Sequence, residues 1–82
     1  MQTKKRSVRA YVLVNVRAGY AKRVAAELAQ LSGVRSAHAC WGVPDVFAYV
    51  EVGSQRELDD LVMERIQKME GVERTDTHIA LQ

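Results

Sequence analysis

The chain has 82 residues, 48% of them hydrophobic, with 12 Lys/Arg against 10 Asp/Glu and a formal net charge of +2. That length makes one domain, and no apolar run approaches the roughly 20 residues that cross a bilayer as a helix. Cys40 is the only cysteine, which excludes a disulfide framework and a CxxC metal site. The opening Met1-Gln2-Thr3-Lys4-Lys5-Arg6 lacks the apolar stretch of a secretory signal, so a cytoplasmic protein is expected.

The charge is unevenly placed. Lys4, Lys5, Arg6 and Arg9 fall in the first nine residues, leaving eight Lys/Arg against ten Asp/Glu, a net of −2, for the rest. Residues 1–9 are therefore expected to be a basic disordered tail and residues 10–82 one folded domain. A body of that sign offers no evident field for nucleic-acid phosphates, although the tail could touch nucleic acid or an acidic partner.

In chain order, Ala10–Val16 is rich in β-branched and aromatic residues and reads as a first strand. Ala21, Val24, Ala25, Leu28 and Leu31 then recur at helical spacing, with Lys22, Arg23, Glu27 and Gln30 off the stripe. Val34–Trp41 reads as a second strand, Gly42-Val43-Pro44 as a turn, and Asp45–Val52 as a third strand. Ser54-Gln55-Arg56-Glu57 has the pattern of a capping box, opening a second helix with Leu58, Leu61, Val62, Ile66 and Met69 on one face. Val72–Leu81 closes the chain as a fourth strand. Each helix ends on a matching signal, Leu31-Ser32-Gly33-Val34 and Met69-Glu70-Gly71-Val72, where glycine supplies the positive φ of a helix terminus and valine starts a strand. Two strand–helix–Gly-Val–strand halves predict an α+β, ferredoxin-like βαββαβ sandwich: a four-stranded antiparallel sheet with both helices on one face.

The second sheet face should meet water and be polar if it stood alone. It is not. Val12, Val14 and Val16 alternate with Tyr11, Leu13 and Asn15 on the first strand, and Val46, Ala48, Val50 and Val52 alternate with Phe47, Tyr49 and Glu51 on the third. Tyr11, Leu13, Phe47 and Tyr49 are thus expected to form an interface with a second subunit, giving a homodimer. A chain this short buries only about 60–65% of its unfolded surface and gains from such a partner.

The candidate chemistry is sparse. His38 and Cys40 share a strand face, but two ligands do not make a structural zinc site, and neither metal nor cofactor is expected. His78 with Asp45 lacks a nucleophile, and the glycines do not form a phosphate loop. The third strand carries no Lys or Arg to accompany Phe47 and Tyr49, which argues against an RNA-reading sheet. What remains is Trp41-Gly42-Val43-Pro44-Asp45 with Thr75 and Thr77. Turn amides suit a carboxylate, Asp45 suits an ammonium group and the two hydroxyls suit either, a set that fits an α-amino acid. The plainer account, which the residues alone favour, is that Asp45 caps the turn and the threonines are ordinary strand residues.

These residues also carry a family resemblance. Gly42-Val43-Pro44-Asp45 followed by Val46–Val50 resembles the G-x-x-D-hydrophobic segment of the Lrp/AsnC effector-binding (RAM) domain. Met69–Thr77 resembles its L-x-G-V-x-x-T-x-T segment, and Ala10–Val16 is similar to its first strand. The resemblance implies a domain that binds an amino acid or related metabolite, dimerises through its sheet, and assembles into octamers or similar rings with effectors between dimers. Carried over, it places Trp41, Gly42, Val43, Pro44, Asp45, Thr75 and Thr77 at the ligand, with Trp41 narrowing effector choice. Nine residues before the first strand cannot supply a helix-turn-helix, so the expectation is a stand-alone member. Such a member would not bind DNA directly, would modulate transcription indirectly, and could join full-length Lrp/AsnC regulators. Two other readings remain open: a small dimeric enzyme of the cofactor-free monooxygenase type with a pocket lined by His38 or His78, and a purely structural partner subunit.

Overall fold

The structure is a computed structural model that describes residues 7–81. Its elements run β1 (Val8–Val16), α1 (Ala21–Ala29), β2 (Val34–Ala39), β3 (Val46–Val52), α2 (Gln55–Asp60), a π-helical turn (Leu61–Ile66) and β4 (Val72–Ile79). The sheet order is β2-β3-β1-β4 with every neighbouring pair antiparallel. This is the expected βαββαβ arrangement. The expected basic tail lies outside the described residues as far as Arg6, whereas Val8 and Arg9 pair with Val52 and Glu51 and belong to the sheet. At their far ends β2 and β4 each stop two residues short of the expected bounds.

Alternation along the strands builds the core. Val12, Val14, Val46, Ala48 and Val50 face the helices and are at most 1% exposed. Val24, Ala25 and Leu28 of α1 and Leu58, Leu61, Val62 and Ile66 of the second helical segment close over them. Deleting methylenes from such a core would cost about 2–5 kcal/mol for a Leu or Ile to Ala change.

The second helix departs from a plain amphipathic α-helix. It starts as read, with Ser54 Oγ accepting from the Glu57 amide at 3.1 Å. The Glu57 carboxylate reaches back to the Gly53 amide at 2.6 Å, one residue beyond the N-cap. From Leu61 it widens into π geometry, with the Gln67 amide donating to the Val62 carbonyl at 2.8 Å. Leu58, Leu61, Val62 and Ile66 stay buried on the core through this change of winding.

Both helix-ending glycines take the positive φ expected of them, +94° at Gly33 and +95° at Gly71. Gly71 is constrained twice, because a Cβ there would run into the Tyr20 ring. That ring is itself held between the Arg17 and Arg23 guanidinium groups, 4.9 and 5.5 Å from its centroid. Gly19, at φ +88°, has open space where a Cβ would go. Urea denaturation should therefore separate the two: Gly19→Ala should cost about 1 kcal/mol and Gly71→Ala about 3 kcal/mol. Equal losses would remove the Tyr20 contact as a constraint.

Candidate functional site

With both helices on one side, the opposite sheet face is open. Pairing fixes its rows. Tyr49 lies opposite Tyr11, which lies opposite His78; Phe47 lies opposite Leu13, which lies opposite Asp76. On the other flank Ser36 pairs with Tyr49 and His38 with Phe47. The centre is apolar and the margins are polar. Tyr11 is 50% and Phe47 39% exposed, and the Tyr11 and Tyr49 rings sit 5.1 Å apart. Four strands about 4.8 Å apart and seven residues rising about 3.3 Å each give a footprint of roughly 19 by 23 Å. Several hundred Å² of aromatic-centred sheet is at the upper end of what a lone soluble monomer shows.

The β2–β3 turn closes one end of this face, and Asp45 is its anchor. Its Oδ1 accepts from the Val16 amide at 3.1 Å, and its own amide donates to the Val14 carbonyl at 3.2 Å. Its carbonyl accepts from the Cys40 amide at 2.7 Å, closing the turn from the other side. The Val16 amide needs this partner because the β1–β4 register shifts between Asn15 and Val16. The capping role is thus real, and it leaves the second carboxylate oxygen for another group. Gly42 adopts φ +108°, and Val43 is 86% and Trp41 102% exposed. Trp41 extends into solvent and crowds nothing within its own chain.

Sequence reading missed two residues beside Asp45. Asn15 sits between the two β1 residues that Asp45 binds, and Arg74 pairs with Asn15 from β4. Asn15 Oδ1 is buried without a hydrogen-bond partner among the described residues, and such a group is costly to leave unmade. Arg74 lies 3.9 Å from Asp76 on the exposed face. A carboxylate, an unused amide oxygen and a guanidinium therefore line up across three strands. The sequence signal was Asn15 itself, the one polar residue in the Tyr11-Leu13-Asn15 series.

Thr75 and Thr77 share a face, as expected, but it is the helix-side face. They pair with Val14 and Val12, and Thr75 Oγ1 accepts from Gln67 Nε2 at 2.9 Å. Within one chain β1 separates them from Asp45, so the structure does not gather the threonines and the turn into one cluster. His38, Cys40 and His78 are all exposed. Among the described residues no three His, Cys, Asp or Glu side chains are grouped to hold a metal ion, and no helix is long and apolar enough to cross a membrane.

The fold is ferredoxin-like, with a bare, aromatic-centred sheet face and a polar turn at one end. The chain belongs to the Lrp/AsnC family: the family model described as the Lrp/AsnC ligand binding domain matches residues 9–82. It is 34% identical over 70 residues to an uncharacterized HTH-type transcriptional regulator of Pyrococcus furiosus, covering 85% of this chain and 47% of that protein. The chain thus spans about half the length of this curated relative. Its fold is similar to the crystal structure of TTHA0845 from Thermus thermophilus, with a TM-score of 0.86 and 33% identity over 92% of this chain and 94% of that one. It also matches the regulator NMB0573 of Neisseria meningitidis, solved as an L-Met complex, with a TM-score of 0.80 over 92% of this chain and 50% of that one. At 21% identity that last likeness speaks to the fold alone.

Asp45 offers a clean test of the anchor. Asp45→Ala should lower stability by about 2 kcal/mol, the scale of a hydrogen bond to a charged acceptor. Asp45→Asn keeps an acceptor for Val16 and should cost less than about 1 kcal/mol. Equal losses in thermal unfolding would show that the Val16 bond is not what Asp45 contributes.

Proposed function

We propose that this chain senses an amino acid or a related small zwitterion, dimerises through its open sheet face, and modulates transcription indirectly without catalysing a reaction. The observation that carries the reading is the row formed by Asp45, Asn15 and Arg74 at the edge of an uncovered apolar face. The spare oxygen of Asp45 accepts hydrogen bonds, which suits an ammonium group, and the buried Oδ1 of Asn15 on the neighbouring strand adds negative potential beneath it. Arg74 and the amides of the Gly42 turn suit a carboxylate. Family membership supports an effector-binding role, since the matching family model describes a ligand binding domain.

In this reading the site is completed by other copies of the chain. A two-fold partner covers Tyr11, Leu13, Phe47 and Tyr49, and assembly of dimers into an octamer or similar ring brings Trp41, Val43, Pro44 and the exposed Thr77 of neighbouring subunits to the turn. Thr75 contributes by holding Gln67 and the end of the second helix against β4. Full-length Lrp/AsnC regulators are natural further partners, since they carry the same domain.

A thermal-shift screen of the twenty amino acids tests this. At least one should stabilise the chain by about 2.7 kcal/mol when present at 100 times its dissociation constant. For a domain of this size that is a rise on the order of 10 °C. Asp45→Asn should abolish the shift while leaving the ligand-free midpoint nearly unchanged. Silence with all twenty would contradict the amino-acid reading.

A further inference from the structure

The open sheet face carries its titratable groups at its margins, and their placement is complementary to itself. Tyr11, Leu13, Phe47 and Tyr49 form the apolar centre on β1 and β3. In the same two rows His78 and Asp76 stand on β4, and Ser36 and His38 stand on β2. His38 and Asp76 thus end one row, about 14 Å apart across the four strands. Both histidines are exposed, and the Asp76 side chain is 51% exposed.

We propose that two copies packed by this face pair Asp76 of each with a histidine of the other, so that the dimer tightens as pH falls. This pairing rests on the dimer proposed above and assigns a role to its rim. Sheets packed face to face in the aligned class keep their strands within about 30° of one another. A two-fold axis through the apolar centre then has two orientations. Along the strands it keeps each row and exchanges the margins, which sets Asp76 over the partner's His38. Across the strands it keeps each margin and exchanges the two rows, which sets Asp76 over the partner's His78. In either case each carboxylate meets an imidazole, twice per dimer, across the roughly 10 Å that side chains of packed sheets fill. A crossed packing would set Asp76 near Leu13 or Tyr49 instead, so the charges favour the aligned one.

Histidine gains its charge as pH falls from about 8 to 5. Once charged, it faces a carboxylate in the dimer and water in the single chain. The dimer therefore takes up the proton more readily, gains on the single chain as pH falls, and loses that gain as pH rises. Arg74, 3.9 Å from Asp76, keeps its charge throughout and supplies no pH dependence. On its own chain His38 lies opposite Phe47, with Ser36 and Cys40 two residues to either side. His78 lies opposite Tyr11 with Asp76 two residues away, a neighbour it keeps in both states. Arg9, Glu51 and Arg35 lie one row beyond, where Arg35 is 3.4 Å from Glu51.

Fluorescence-detected sedimentation of the amine-labelled full chain, diluted through its dissociation constant at low salt and at about pH 5.5 and pH 8, tests it. The constant should be about fivefold lower at the acid end, the scale of two rim pairs. Asp76→Asn should remove that difference, and so should at least one of His38→Gln and His78→Gln. All three side chains sit on the exposed margin, so the variants keep the fold. Loss of the response in His38→Gln places the axis along the strands, and loss in His78→Gln places it across them. A dimer with the same constant at both pH values would overturn the pairing and leave the dimer standing. So would a response that survives Asp76→Asn or survives both histidine variants. A single chain at every pH would overturn the dimer and the pairing together.

Discussion

Two helices shelter only one side of a four-stranded sheet, and the rest of the molecule follows from that shortage. On the sheltered side Val12, Val14, Val46, Ala48 and Val50 find a dry core. On the other side the same alternation delivers Tyr11, Leu13, Phe47 and Tyr49 to a surface with no described element of this chain above it. A polar open face would make few demands on the fold. An aromatic one is costly in water unless something covers it.

Asp45 holds the turn to β1, and in the proposed reading the same side chain also serves recognition. Its Oδ1 substitutes for a strand partner where the β1–β4 register shifts, so the turn is held against β1 and cannot drift. The same bond restrains the carboxylate. Were Asp45 to bind a ligand as proposed, a group already held by a backbone hydrogen bond would lose little freedom. Asn15 fits the same logic, with a buried oxygen that nothing among the described residues satisfies.

Much of the fold was legible in the sequence because local signals agreed with one another. Gly33 and Gly71 marked both helix ends, Ser54 and Glu57 marked a helix start, and period-two alternation marked β1 and β3. The π-helical turn was not legible, because spacing of four reads as helix and does not say which kind. The candidate site was half legible. Asp45 and the turn stand out by residue type, whereas Arg74 becomes a neighbour of Asn15 only through strand pairing across β1 and β4. For the same reason Thr75 and Thr77, close to Asp45 by motif, prove to face the helices instead.

The central claim is that the open face is covered by a second copy of the chain. Sedimentation velocity on the wild-type protein at about 1 μM, well above the dissociation constants of stable dimers, addresses it most directly. The account predicts a dimer or a multiple of dimers. A single species of 9.2 kDa, the mass of one chain, would contradict it.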